Sequence, residues 1–289
     1  MLPALLKTMR PKQWAKNGFL FIALIFDRQL TNVPAILTIT AGFAVFSLLA
    51  SSIYLINDLS DVEADRQHPK KRTRPIASGS LPIGAARAAV LVLLLATLPA
   101  AWLLSSRFFA ICALYFLTNL AYTFWLKHIA ILDVILLAGF YVMRVGAGVS
   151  LIEVERFSPW LYVFTTFLAL YLGIGKRRAE LAAMADEAGN TRRVLEGYTL
   201  PFLDNLTIIV STLAVMTYSL YTFSAPNLPE NHAMMLTIPF IIYGIFRYLY
   251  LVQVAHSGEA PTDVLFSDKP LQACIALWGL AVLLIFYIF

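Results

Sequence analysis

Apolar residues fill this chain in long blocks, and polar residues fall in short runs between them. A helix that crosses a bilayer needs about 20 mostly apolar residues. About nine stretches approach that criterion: residues 17–28, 34–57, 83–104, 108–126, 131–151, 159–175, 200–224, 235–254 and 271–289. The first is short on apolar count and is expected to begin in the amphipathic run from Pro11. The pattern therefore predicts an all-α, polytopic membrane helix bundle, organised as one transmembrane domain over residues 1–289.

Composition sharpens this picture. The chain is 60% hydrophobic and 13% charged, against about 45–50% and about 25% for soluble domains. Water does not solvate that much apolar surface, so lipid must. Cys112 and Cys274 both lie inside apolar runs, which argues against a disulfide framework and against a thiolate metal site. No small-residue cleavage site follows the first apolar run, so that run is expected to stay in the mature protein.

Charge gives the orientation. With the N-terminus in the cytoplasm, the cytoplasmic segments hold Lys7, Arg10, Lys12, Lys16, Arg66, Lys70, Lys71, Arg72, Arg74, Arg87, Lys127, Lys176, Arg177, Arg178, Arg192, Arg193 and Lys269. The other face receives only Arg28, Arg107 and Arg156, while Arg144 and Arg247 stay within spans. Such an excess of Lys and Arg marks the cytoplasmic side. The plasma (inner) membrane is the expected location. The formal charge of +5 suggests an anionic partner, either lipid headgroups or a phosphorylated substrate. Nucleic acid is a poor fit, because the basic residues sit in short loops. The cytoplasmic loops 59–82, 176–198 and 255–270 are the expected home of any polar chemistry.

The second span ends in Asn57-Asp58-Leu59-Ser60-Asp61-Val62-Glu63-Ala64-Asp65. Spacings of three and four residues would put Asp58, Asp61 and Asp65 on one helical face. Like charges at that density need a cation, and hard oxygen ligands suit Mg²⁺ bridged to substrate phosphates. The alternative is a solvated helix end paired with Arg66, Lys70 or Lys71. The position directly at the end of an apolar run favours a metal–diphosphate site. Lys71 and Arg74 follow and could neutralise further phosphate charge, although topology alone also explains basic residues there.

A second charged cluster begins at Lys176, Arg177, Arg178 and Glu180. Tyr198 and Asp204 flank the start of the seventh span, where Asp204 is expected to face the bundle interior. An anchor to anionic lipid is the competing reading of the three cations. The N-terminal run Arg10-Pro11-Lys12-Gln13-Trp14-Ala15-Lys16-Asn17 reads first as an interfacial anchor that could also help bind a lipid phosphate. Arg144 and Arg247 need partners that the sequence does not name.

The motif Asn57-Asp58-x-x-Asp61-x-x-x-Asp65, at the end of the second span, resembles the first acidic motif of the UbiA superfamily of intramembrane prenyltransferases. The resemblance covers nearly the whole chain. Most members carry a second Asp-rich motif after a later span, whereas this chain has Lys176-Arg177-Arg178-Ala179-Glu180 with Tyr198 and Asp204 following. In this it is similar to the decaprenyl-phosphate phosphoribosyltransferase branch. Arg10-Pro11-Lys12-Gln13-Trp14-x-Lys16-Asn17, Phe246-Arg247-Tyr248 and Pro261-Thr262-Asp263-Val264-Leu265-x-x-Asp268 carry the same resemblance.

The resemblance implies transfer of 5-phosphoribosyl from phosphoribosyl pyrophosphate to polyprenyl (decaprenyl) phosphate. Pyrophosphate is released, and in that family the product feeds cell-wall arabinan synthesis. It further implies Mg²⁺ on Asp58, Asp61 and Asp65 with Asn57. Substrate contacts would come from Lys16, Lys71, Arg74, Lys176, Arg177, Glu180, Tyr198, Asp204 and Arg247. The competing readings are prenylation of an aromatic acceptor, which would favour a second acidic cluster, and a transporter, which would place charges near the midplane and often shows inverted repeats. A homo-oligomer is compatible with these features.

Overall fold

The computed structural model describes residues 1–69, 71–154, 158–186, 193–226, 228–255 and 261–288. Lys70, Arg156 and Arg192, and the side chains of Arg193 and Asp263, lie outside that description. All regular elements among the described residues are helical: α1 (Leu2–Met9), α2 (Ile22–Phe26), α3 (Val33–Ser60), α4 (Val62–Gln67), α5 (Ile83–Leu104), α6 (Ser106–Phe124), α7 (Leu132–Val149), α8 (Pro159–Asp186), α9 (Leu200–Ser224), α10 (Ile238–Gln253), α11 (Pro261–Ser267) and α12 (Lys269–Ile288), with short 3-10 turns between them.

Among the described residues, seven helices are long and apolar enough to cross a membrane: α3, α5, α6, α7, α9, α12 and the segment Ala233–Gln253 that contains α10. The expected count of about nine is therefore not reached by length and composition alone. The first expected span is a 3-10 helix over Pro11–Phe21 that passes into the five-residue α2. The sixth, α8, is long enough but carries a charged end. It continues past Gly175 to Asp186, so the beginning of the expected loop 176–198 is helix.

Helix starts follow the local chemistry. The Asn32 side chain accepts from the Ala35 N–H at the start of α3. Ser105 caps α6 through Phe108, and Thr199 caps α9 through Phe202. Each polar side chain satisfies a backbone donor that the helix leaves open. Pro34 and Pro201 sit in first turns, where a missing N–H costs nothing.

The chain divides into two compact units. Unit 1 comprises Met1–Leu24, Gln29–Leu126 and Met143–Glu153. In it α3 is central and packs against α1, the 3-10 segment, α5 and α6. Met9, Leu55, Ile76, Leu81 and Ala86 form a buried apolar cluster, with Trp14 and Leu59 against it. Unit 2 comprises Ile25–Arg28, Lys127–Val142 and Val154–Phe289. There α8 packs along α9 and α10, and α10 packs on α12. Large apolar side chains such as Leu37, Leu95, Leu103, Ile208 and Phe246 point outward. On helices of this length that coat is a lipid-facing surface.

Candidate active site

In unit 1 the last turn of α3 carries Asn57 and the buried Asp58. The helix then breaks. Asp61 adopts φ −93° and ψ 7°, with its N–H bonded to the Asn57 carbonyl at 3.0 Å. The chain resumes as α4, where the Asp65 N–H donates to the Asp61 carbonyl at 2.8 Å. The three carboxylates thus do not share one continuous helical face, because Asp61 occupies the bridge region that ends helices.

A cation nevertheless gathers two of them. Arg74 Nη1 donates to Asp65 Oδ2 at 2.7 Å and to Asp58 Oδ1 at 3.2 Å. Arg10 Nη2 donates to the same Asp58 oxygen at 2.6 Å. Asn57 Nδ2 donates to Asp61 Oδ2 at 3.3 Å. The Arg10 guanidinium also lies 4.9 Å from the Tyr54 ring centroid. Lys71 is exposed, and its backbone N–H reaches His68 Nδ1 at 3.4 Å. Lys16 is half-buried on the 3-10 segment.

Unit 1 also supplies partners for Arg144. Its Nε donates to Asn17 Oδ1 at 2.8 Å, and its Nη2 donates to the Tyr115 hydroxyl at 2.8 Å. Asn17 in turn donates to Ser47 Oγ at 2.9 Å. Buried cations require such partners.

Unit 2 holds the second cluster. Arg177 is 1% exposed and Asp133 0%. Arg177 Nε donates to Asp133 Oδ2 at 2.6 Å, and its Nη1 donates to Glu180 Oε2 at 2.6 Å. Lys176 Nζ lies 3.7 Å from the other Glu180 oxygen. The Tyr198 hydroxyl donates to Asp133 Oδ1 at 2.6 Å and accepts from the Ile131 N–H at 2.6 Å. Ile131 has φ +71°, a strained value for a β-branched residue, directly before this pair. Burial first, and the bond to Asp133 second, push the Tyr198 phenol above its ordinary range, so it serves as a donor.

Asp204 turns toward the neighbouring helices α8 and α10 but is only half-buried. Its side chain is 35% exposed, and Oδ1 accepts from Arg178 Nε at 2.5 Å and from Gln253 at 3.1 Å. The start of α9 is open enough for water to share that carboxylate. Arg247 pairs in two places with Asp268, Nε to Oδ1 at 3.1 Å and Nη2 to Oδ2 at 2.8 Å. Asp268 also accepts from the Leu271 N–H and so caps α12.

Asp133 and Arg10 belong to these clusters without being among the expected site residues. Asp133 opens an apolar run, the same signal that drew attention to Asp204. Arg10 lay inside a run read first as an anchor, and only its backbone turn aims it at Asp58.

A sequence model of the UbiA prenyltransferase family matches residues 18–267. The chain belongs to that family. It is an enzyme family of multi-pass membrane proteins, and the relatives narrow the branch. The decaprenyl-phosphate phosphoribosyltransferase of Mycobacterium tuberculosis is 33% identical over 96% of this chain and 92% of its own length. The enzyme of the same name from Corynebacterium glutamicum is 33% identical over 98% of this chain and 87% of its own. A UbiA homolog from Archaeoglobus fulgidus, solved with DMAPP and Mg²⁺, shares the fold with a TM-score of 0.72 at 18% identity, covering 99% of each chain.

A UbiA-type divalent cation can be tested against these residues. Among the described residues no three His, Cys, Asp or Glu side chains form a ready-made metal cage. Mg²⁺ does not need one, since it usually takes one or two carboxylates, keeps waters and binds substrate phosphates. Asp58, Asp61, Asp65 and the Asn57 carbonyl offer only hard oxygens, which is the donor chemistry that fits.

Proposed function

We propose that this UbiA-family chain transfers the 5-phosphoribosyl group of phosphoribosyl pyrophosphate to a polyprenyl phosphate and releases pyrophosphate. The similarity that carries the reading is 33% identity to decaprenyl-phosphate phosphoribosyltransferases over nearly the full length of both chains. The acidic cluster at the end of α3 supports it independently, because a diphosphate leaving group calls for a metal and cations. The bond from C1 of ribose to pyrophosphate breaks, and a phosphate oxygen of the lipid bonds to C1.

Asp58, Asp61 and Asp65, with Asn57, would hold Mg²⁺ at the pyrophosphate. When bound, Mg²⁺ supplies Lewis-acid stabilisation of that leaving group. Arg74 and Lys71 neutralise phosphate charge beside it. Lys176, Arg177, Glu180, Tyr198, Asp204 and Arg247, together with Lys16, are proposed substrate ligands on their residue chemistry. The acceptor is already an anion, so no general base is required, and positioning and electrostatics supply the rate. By its Lys/Arg bias the site opens to the cytoplasm from the plasma membrane.

The test is turnover in detergent with radiolabelled phosphoribosyl pyrophosphate, decaprenyl phosphate and Mg²⁺, with and without EDTA. An organic-soluble labelled product that disappears with EDTA is the expected result. Asp58→Ala and Asp61→Ala should each lower it by at least about a hundredfold while leaving membrane insertion intact. Product formation only from a prenyl diphosphate and an aromatic acceptor would replace the reading with the commoner UbiA chemistry.

A further inference from the structure

Asp58 and Asp65 are buried carboxylates, and both are already engaged by guanidinium groups. One oxygen, Asp58 Oδ1, takes Arg10 at 2.6 Å and Arg74 at 3.2 Å. The same acids are the oxygen donors proposed for the metal. A divalent cation bound at that oxygen would meet two positive charges within contact range, and the three repel one another. The arginines are the partners able to move, because their side chains are 31% and 28% exposed while the Asp58 side chain is 3% exposed. Arg10 is also aimed by a costly backbone. It sits at φ +54° between α1 and the 3-10 segment, a region few non-glycine residues occupy.

We propose that Arg10 and Arg74 are placeholder cations: they hold Asp58 and Asp65 in the metal-free state and pass to the diphosphate oxygens when metal and diphosphate enter. The inference rests on the metal–diphosphate reading above and adds Arg10 to that site. Its consequence is a coupling. Metal alone competes with the arginines, whereas diphosphate gives them a new partner and releases the carboxylates. Metal and diphosphate then each strengthen the other's binding, as linkage requires.

The experiment measures Mn²⁺ binding to the purified full-length chain in detergent by electron paramagnetic resonance, with and without inorganic pyrophosphate. For Arg10→Gln, Mn²⁺ alone should bind about fivefold or more tighter than to the wild type. Pyrophosphate in the presence of Mn²⁺ should bind about tenfold or more weaker, because charge-assisted bonds are lost. Arg10→Lys should keep most of the coupling. Arg74→Gln should repeat the pattern of Arg10→Gln. Should it fail to fold, Arg10→Gln decides alone, since Arg74 still pairs both acids in that variant. Opposite signs separate the proposal from simple damage, which weakens both ligands. Mn²⁺ affinity unchanged or weakened in folded Arg10→Gln, with coupled binding intact in the wild type, overturns the placeholder role and leaves the metal site standing. Absence of Mn²⁺ binding to the wild type with pyrophosphate present overturns both.

Discussion

Asp133 has no cation three or four residues away in sequence, yet its carboxylate accepts from Arg177 and from Tyr198. Removing one partner of a buried pair leaves the other charge stranded, at a cost of about 3–5 kcal/mol. Glu180 still pairs Arg177 in Asp133→Asn, so that variant should lower stability by less, about 1–3 kcal/mol, readable as a fall in melting temperature in detergent, and Tyr198→Phe should cost less again because Asp133 keeps Arg177. An unchanged melting temperature in Asp133→Asn would mean that the pair contributes nothing net. The acids Asp58, Asp61 and Asp65 are legible in the sequence because three of them stand where an apolar run ends. Asp133 and Arg10 are not, because their partners lie 44 and 48 residues away. Lone charges of this kind acquire meaning only when the chain turns back on itself.

At the scale of elements, period and apolar length identify the helices well, while breaks and extensions depend on local geometry. A 3-10 helix rises about 2.0 Å per residue against about 1.5 Å for an α-helix. Hence the segment Pro11–Phe21 covers more depth than its apolar count suggests. Conversely, α8 runs on past its apolar stretch, so that Lys176 and Glu180 are helical neighbours, as their spacing of four residues predicts. Close packing adds a constraint that hydropathy does not reveal. A Cβ at Gly148 on α7 would collide with the Leu20 carbonyl, which is backbone and has nowhere to go. Gly148→Ala should thus destabilise by about 1–3 kcal/mol, whereas Gly139→Ala, with open space around it, should not. Equal melting temperatures for the two variants would refute the contrast. The Arg247–Asp268 pair makes a pH-dependent joint between α10 and the start of α12. Its hydrogen bonds, chiefly from Arg247, hold the Asp268 carboxyl below its ordinary value of 3.8. A depressed carboxyl stabilises the fold above its unfolded value and loses that contribution as pH falls through the folded one. Asp268→Asn should consequently be less stable than wild type near neutrality, with the gap closing below about pH 4; a gap constant from pH 7 to pH 3 would count against the pair.

For the whole molecule, composition makes a helical, multi-pass membrane protein legible, and Lys/Arg placement adds the proposal that the charged segments face the cytoplasm. The proposed orientation is testable by labelling. Cys112 and Cys274 are buried, so the native chain should react poorly with a membrane-impermeant maleimide. Lys71→Cys, at an exposed position, should label in inverted membranes and not in intact cells; the reverse pattern would invert the topology. The buried Arg144 bears on how such a molecule is made. Two of its partners, Asn17 and Tyr115, precede it in the chain. A ribosome therefore delivers these two acceptors before the cation that uses them. An arginine at the centre of a lone span costs about 2.5–3.5 kcal/mol to insert, but α7 emerges when hosts for its charge are already synthesised. The vectorial order of translation itself makes α7 a segment whose entry into lipid depends on the spans that came before it.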